Sequence, residues 1–102
     1  MTSKVGQSYV NFPRFRPVGS HTNDTDISAV DTLTVPAGAT MLLIQASVAD
    51  CRYTLDGTTP TSAVGFTLVA GADPTLILLD EGVAVKVIEE GATAILDYQF
   101  GV

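Results

Sequence analysis

Few side chains in this 102-residue chain carry chemistry: one histidine, one cysteine and eleven carboxylates. His21 stands near Asp24 and Asp26, and converging imidazole and carboxylate groups are what a metal ion requires. Asp24, Asp26 and Asp31, interleaved with Asn23 and Thr25, partly follow the Asp-x-Asp rhythm of a calcium loop. The glycine and terminal glutamate of such a loop are missing at the required spacing, so a solvated polar loop is expected. Asp80-Glu81 and Glu89-Glu90 are paired carboxylates next to Gly82 and Gly91. Acid–base catalysis needs such pairs to face one another across a cleft with one pKa raised. Beside glycines they read as turn residues. A Ser-His-Asp set can be drawn on paper, but no Gly-x-Ser-x-Gly elbow marks an activated serine, and no Gly-rich phosphate loop or nucleotide fingerprint is present. The expectation is a protein that is not an enzyme and holds no cofactor or metal.

The scaffold for these groups is a single domain by length. Hydrophobic residues make up 46% of the chain, with no Trp. The core must therefore be built mainly from Val, Leu, Ile and Ala, which pack well on pleated surfaces. The lone Cys51 cannot close an intramolecular disulfide. Residues 1–20 lack the apolar run of a signal peptide, and no apolar stretch is long enough for a transmembrane helix. Synthesis in a reducing cytoplasm and no membrane partner are expected.

Net charge is −6 and unevenly spread: residues 1–20 carry Lys4, Arg14 and Arg16 without an acid, whereas the remainder sets Arg52 and Lys86 against all eleven acids. An acidic body argues against nucleic acid, because phosphate binding needs a cationic face. The basic start suits an acidic partner surface.

Residues 1–26 read as an extended arm or loop. They hold Gly6, Pro13, Pro17 and Gly19 and end in the polar run Ser20 to Asp26. The aromatics of this arm, Tyr9, Phe12 and Phe15, need a surface to cover. Together with Lys4, Arg14 and Arg16 they are the candidate partner-binding residues. From Ile27 onward, short apolar runs are punctuated by glycines at 38, 57, 65, 71, 82, 91 and 101, the spacing of a sandwich or barrel. Val83, Val85 and Val87 alternate with Ala84, Lys86 and Ile88. Ala94, Leu96, Tyr98 and Phe100 alternate with Ile95, Asp97 and Gln99. Cys51, Tyr53 and Leu55 alternate with Arg52, Thr54 and Asp56. Period two with one buried face marks antiparallel strands. Met41 to Ile44 and Leu76 to Leu79 are apolar on both faces, as in central strands or strands that a neighbouring subunit covers. Helix competes for Ala39 to Ala49, but its length and strand-like surroundings favour β. Glu89-Glu90-Gly91 is expected as a hairpin turn between the last two strands.

Asp56-Gly57 is a turn pair: glycine takes positive φ without steric cost, the Asp56 carboxylate can accept from the amide of Thr58 or Thr59, and Pro60 fixes the exit. Asp56, Gly57 and Pro60 are expected to be structural and not a ligand site. The competing role is a sugar-binding tip with Tyr53 as platform, although Tyr53 shares its face with Cys51 and Leu55.

The block Arg52 to Ala70, which reads Arg-Tyr-Thr-Leu-Asp-Gly-Thr-Thr-Pro-Thr-Ser-Ala-Val-Gly-Phe-Thr-Leu-Val-Ala, resembles small structural proteins of tailed bacteriophages grouped as head decoration, or cement, proteins. Val35-Pro36-Ala37-Gly38-Ala39 before an apolar strand, and Val85-Lys86-Val87-Ile88 before an Ala-rich last strand, follow the same order. The resemblance covers about residues 30–100 and implies a β-sandwich or barrel seated on an assembled shell, without catalytic residues. Tyr53 to Thr61 is also similar to the turn of small β-sandwich modules appended to secreted glycoside hydrolases. Those modules continue toward a Tyr-x-Gly-Pro-like segment, where this chain has Ser62-Ala63-Val64-Gly65-Phe66.

The expected architecture is thus an all-β, antiparallel sandwich or barrel of seven or eight strands over residues 27–102, preceded by an extended arm, 1–26. The expected role is a non-enzymatic virion protein on the capsid surface, bound to the major capsid protein or other virion subunits and to itself, with a trimer as the best single number. A carbohydrate- or receptor-binding module is the alternative.

Overall fold

The computed structural model describes residues 14–80 and 82–102. Eight strands follow one another: β1 (Pro17–Asp24), β2 (Asp31–Thr32), β3 (Met41–Ser47), β4 (Cys51–Thr54), β5 (Phe66–Leu68), β6 (Thr75–Leu78), β7 (Lys86–Glu89) and β8 (Ile95–Gly101). They form two antiparallel four-stranded sheets, ordered β1-β8-β3-β6 and β2-β7-β4-β5. The molecule is an all-β sandwich of two sheets. Neither sheet closes into a barrel.

Alternation decides which side chains meet between the sheets. Leu42 of β3 lies opposite both Ile77 of β6 and Phe100 of β8, and all three are buried. Ile44 opposite Tyr98, and then Ala46 opposite Leu96, form the next inward pairs. From the second sheet, Cys51, Leu68 and Val87, together with Val85 just before β7, close the same core. A fully buried Leu or Ile contributes on the order of 1.5–3 kcal/mol, so this aliphatic layer is the main source of stability. Of the alternating faces expected near the end of the chain, Val85, Val87, Ala94, Leu96 and Phe100 are buried, and Val83 and Tyr98 are half-buried against the same core. Ala39 to Ala49 is strand and not helix for all but its ends.

Three local readings of the sequence are corrected. Residues 17–24, expected in the arm, form β1, which pairs with β8 from Pro17↔Gly101 to Asp24↔Leu96. Its burial pattern has no buried position, because an edge strand with polar residues on both faces leaves no apolar period to read. A bulge between Val18 and Thr22 holds Gly19 at φ 76°, and Gln99 Nε2 donates to the freed carbonyls of Val18 and Gly19 at 3.3 and 3.2 Å. Second, of the two strands expected to be central or covered by a neighbouring subunit, β3 is central and β6 is not, being the outer strand of its sheet. Third, Glu89-Glu90-Gly91 is no hairpin. β7 and β8 lie in different sheets, so this segment crosses the sandwich, with Glu90 N donating to Asp50 O at 2.9 Å.

Candidate functional site

The candidate partner-binding residues fall into two groups. Lys4, Tyr9 and Phe12 lie outside the described residues. Arg14 and Arg16 are exposed and Phe15 is half-buried. Arg16 and Val102 exchange two backbone hydrogen bonds of 2.8 Å, which carry the β1–β8 ladder one pair beyond the strand ends. The ring of Phe15 rests on Gly101: a Cβ at Gly101 would lie 2.5 Å from two of its carbons. Gly101 follows the inward Phe100, so this ring sits on the outward face of the first sheet.

That outward face is apolar where β3 meets β6. Met41 pairs with Leu78 and Leu43 with Leu76, each one residue out of phase with the inward Leu42 and Ile77. Met41 is 6% exposed and Leu78 67%. Among the described residues no strand pairs with the other edge of β6, Thr75-Leu76-Ile77-Leu78, which carries no charge, no proline and no bulge of the kind that blunts sheet edges.

The 53–66 corner is built from its turn outward. Asp56 Oδ1 accepts from Thr58 N at 3.0 Å, and Gly57 has φ 87°. Gly57 N donates to Ala84 O at 3.3 Å and Ala84 N to Leu55 O at 2.8 Å, tying the turn to the segment before β7. Pro60 is fully buried. Thr61 Oγ1 accepts from Ala63 N and Val64 N, both at 3.1 Å, and turns the chain back toward β4. Gly65, at φ 128°, lies so close to β4 that a Cβ would be 2.9 Å from Tyr53 O. Arg52 locks this approach: Nη1 donates to Gly65 O at 3.0 Å and Nε to Glu90 Oε1 at 3.1 Å.

This bracing leaves an open cleft lined by Tyr53, Thr54, Leu55, Asp56, Thr58, Gly65 and Phe66. Tyr53 and Phe66 are register partners with ring centroids 5.5 Å apart and planes at 42°. Tyr53 is half-buried against the core, and burial pushes its hydroxyl pKa up. Phe66 is 62% exposed. Its signal in the sequence was a large apolar residue directly after Gly65 in a very short strand. Hydrogen bonds from the Thr58 side chain and backbone hold the Asp56 carboxyl below its ordinary range.

The acids near His21 have structural partners. His21 Nε2 and Asp97 Oδ1 are 2.9 Å apart, and Asn23 Nδ2 donates to the same oxygen at 2.9 Å. These bonds lower the Asp97 pKa. Asp31, at the start of β2, is raised to about 6 by its hydrogen bond with Asp24, then by burial and by the charge of Asp24. Among the described residues, no three or more His, Cys, Asp or Glu are grouped to hold a metal ion. Glu90 is engaged by Arg52, and Glu89 Oε1 accepts from Ala94 N at 3.3 Å. Burial, then the charges of Glu89, Asp50 and Glu90, push the Cys51 thiol up to about 11, away from the thiolate that a nucleophile or ligand requires.

No helix among the described residues is long and apolar enough to cross a membrane. Compared with known proteins, the chain matches no family model, and no curated protein or solved structure is significantly similar to it.

Proposed function

We propose that the protein is a non-enzymatic virion component, a capsid decoration or cement protein that binds the outside of a phage head and stiffens it. The sequence resemblance over about residues 30–100 supports this reading. The observation that carries it is the outward face of the first sheet, where half-buried Leu43 and Leu76 and exposed Leu78 (67%) continue an apolar row from buried Met41 to the outer strand β6. Apolar surface of this kind, beside a strand edge with which no other described strand pairs, belongs against another protein. Phe15, flanked by Arg14 and Arg16, rests on Gly101 on the same face. In this reading the major capsid protein or a second copy covers the row, and the oligomer is a trimer.

Co-sedimentation of the purified protein with assembled heads tests the reading. Wild type is expected to pellet with the heads. Leu78→Lys, at an exposed position, is expected to keep its melting temperature and bind at least about tenfold more weakly, as for loss of a central anchor. Failure of wild type to bind any head preparation overturns the reading.

The alternative is a carbohydrate- or receptor-binding module. The feature that favours it is the exposed Phe66 ring beside Tyr53 and the Asp56 turn.

A further inference from the structure

We propose that the Tyr53–Phe66–Asp56 cleft is a receptor for a basic side chain, and that its occupant is the N-terminal segment of a second copy of this chain. This does not rest on the capsid reading, because the cleft lies on the other sheet, at the β5 edge. Three observations carry it.

The first is the chemistry of the walls. Two tilted aromatic rings, one of them largely exposed, line the same cleft as a carboxylate. Aromatic faces attract cations through the negative face of the ring, and an ammonium or guanidinium group gains most when a carboxylate is also within reach. A neutral sugar ring would use the aromatic face but not the fixed charge. Among the described residues, the partners that hold Asp56 in place are Thr58's own groups and not a cation. The nearby guanidinium of Arg52 is committed to Gly65 O and Glu90.

The second is preorganisation. The buried Pro60, the Thr61 turn and the close approach of Gly65 to β4 fix both walls before any ligand arrives. A preformed site loses little conformational freedom on binding.

The third is charge complementarity and reach. The thirteen residues before Arg14 carry Lys4 and no acid, whereas all eleven acids lie from Asp24 onward. β1 and β2 are joined by six residues and so share one side of the sandwich, while β5 and β6, also joined by six, share the other. The chain is anchored at Phe15 on the β1–β8 side, across the sandwich from the cleft. The thirteen residues before Arg14 can span up to about 43–47 Å. That exceeds the 22 and 29 Å of the two shorter dimensions, enough to reach a neighbouring molecule's cleft.

The test is a titration of the full-length, isotope-labelled protein with a synthetic peptide of residues 2–18, followed by amide and Tyr53 ring shifts. Shifts are expected to concentrate on Tyr53, Asp56, Thr58 and Phe66. The same peptide with Lys4, Arg14 and Arg16 replaced by Gln is expected to bind at least fivefold more weakly. Phe66→Ala removes an exposed ring and leaves the core intact; it is expected to weaken the wild-type peptide by between about threefold and thirtyfold. Asp56→Asn, which keeps the turn, is expected to weaken it as well. Equal binding of the neutral peptide, or no shift at these four residues, overturns the proposal. A methyl glycoside that shifts them where the peptide does not also overturns it and makes the cleft a sugar site.

Discussion

Phe15 lies on Gly101, its ring filling the space where any other residue would place a Cβ. This contact fastens the start of the described chain to the outward face of the first sheet, in the register row where Gly101 pairs with Met41 and Met41 with Leu78. It also explains why the last strand ends in glycine. The Cβ of Gly101→Ala would meet two ring carbons at 2.5 Å and the backbone oxygen of Arg16 at 2.8 Å. The ring can swing away but the backbone oxygen cannot. Gly101→Ala is therefore expected to destabilise by about 1–3 kcal/mol. Adding Phe15→Ala in that background should cost less than Phe15→Ala alone, because the two sites share one contact. Urea melts of the four proteins check this, and strict additivity contradicts it.

The Asp56-Gly57 turn separates backbone strain from packing. A Cβ on Gly57 would meet only Ala84 Cβ at an ordinary 3.9 Å, but φ is 87°. Gly57→Val is expected to cost about 1–2 kcal/mol through its backbone alone. Asp56→Asn should leave the melting temperature within a degree or two, since Asn accepts the same hydrogen bond from Thr58 N and tolerates the same turn. A large loss of stability in Asp56→Asn would mean that the charge, and not the turn, holds this corner.

The Asp24–Asp31 pair predicts a pH dependence of definite sign. Asp31 has a folded pKa of about 6, above its ordinary 3.8, chiefly through its hydrogen bond with Asp24. The folded state therefore binds this proton more tightly than the unfolded state. The stabilisation is fully present below about pH 4 and is lost as pH rises through 6. Asp31→Asn removes the like-charge contact. It is expected to raise stability at pH 7 by about 0.5–1 kcal/mol, a value reduced for the solvent around the pair, and to change little at pH 4. Melting curves at both pH values decide it; an equal effect at the two contradicts the shared proton.

Cys51 is 0% exposed, and its thiol is pushed up to about 11. Native protein at pH 8 is expected to resist a thiol reagent such as DTNB for hours and to react within minutes once unfolded in guanidinium. Rapid labelling of the native state would show that β4 opens locally and often.

Legibility in the sequence followed burial. The last two strands could be read because one face of each meets the core, so Val85, Val87, Leu96 and Phe100 stand out by period two. β1 could not, because an edge strand whose His21 and Asn23 reach sideways to Asp97 has the composition of a loop. Leu76 to Leu79 looked central because apolar residues on both faces signal two covered surfaces, and sequence cannot say whether the second cover lies within the chain. The Glu89-Glu90-Gly91 segment has turn chemistry whether it joins paired strands or crosses between sheets. Of the candidate sites, the geometry of the Asp56 turn was readable from its own residues. Phe66 became visible as a site only when the register set it beside Tyr53.

Electron cryomicroscopy of virions purified from the cells that make this protein tests the central claim most directly. The account predicts density for the sandwich on the outer surface of the head, with Met41, Leu43, Leu76 and Leu78 against a neighbouring subunit and with Leu78→Lys reducing its occupancy. Virions that lack this density, together with a strictly monomeric mass for the free protein, contradict it.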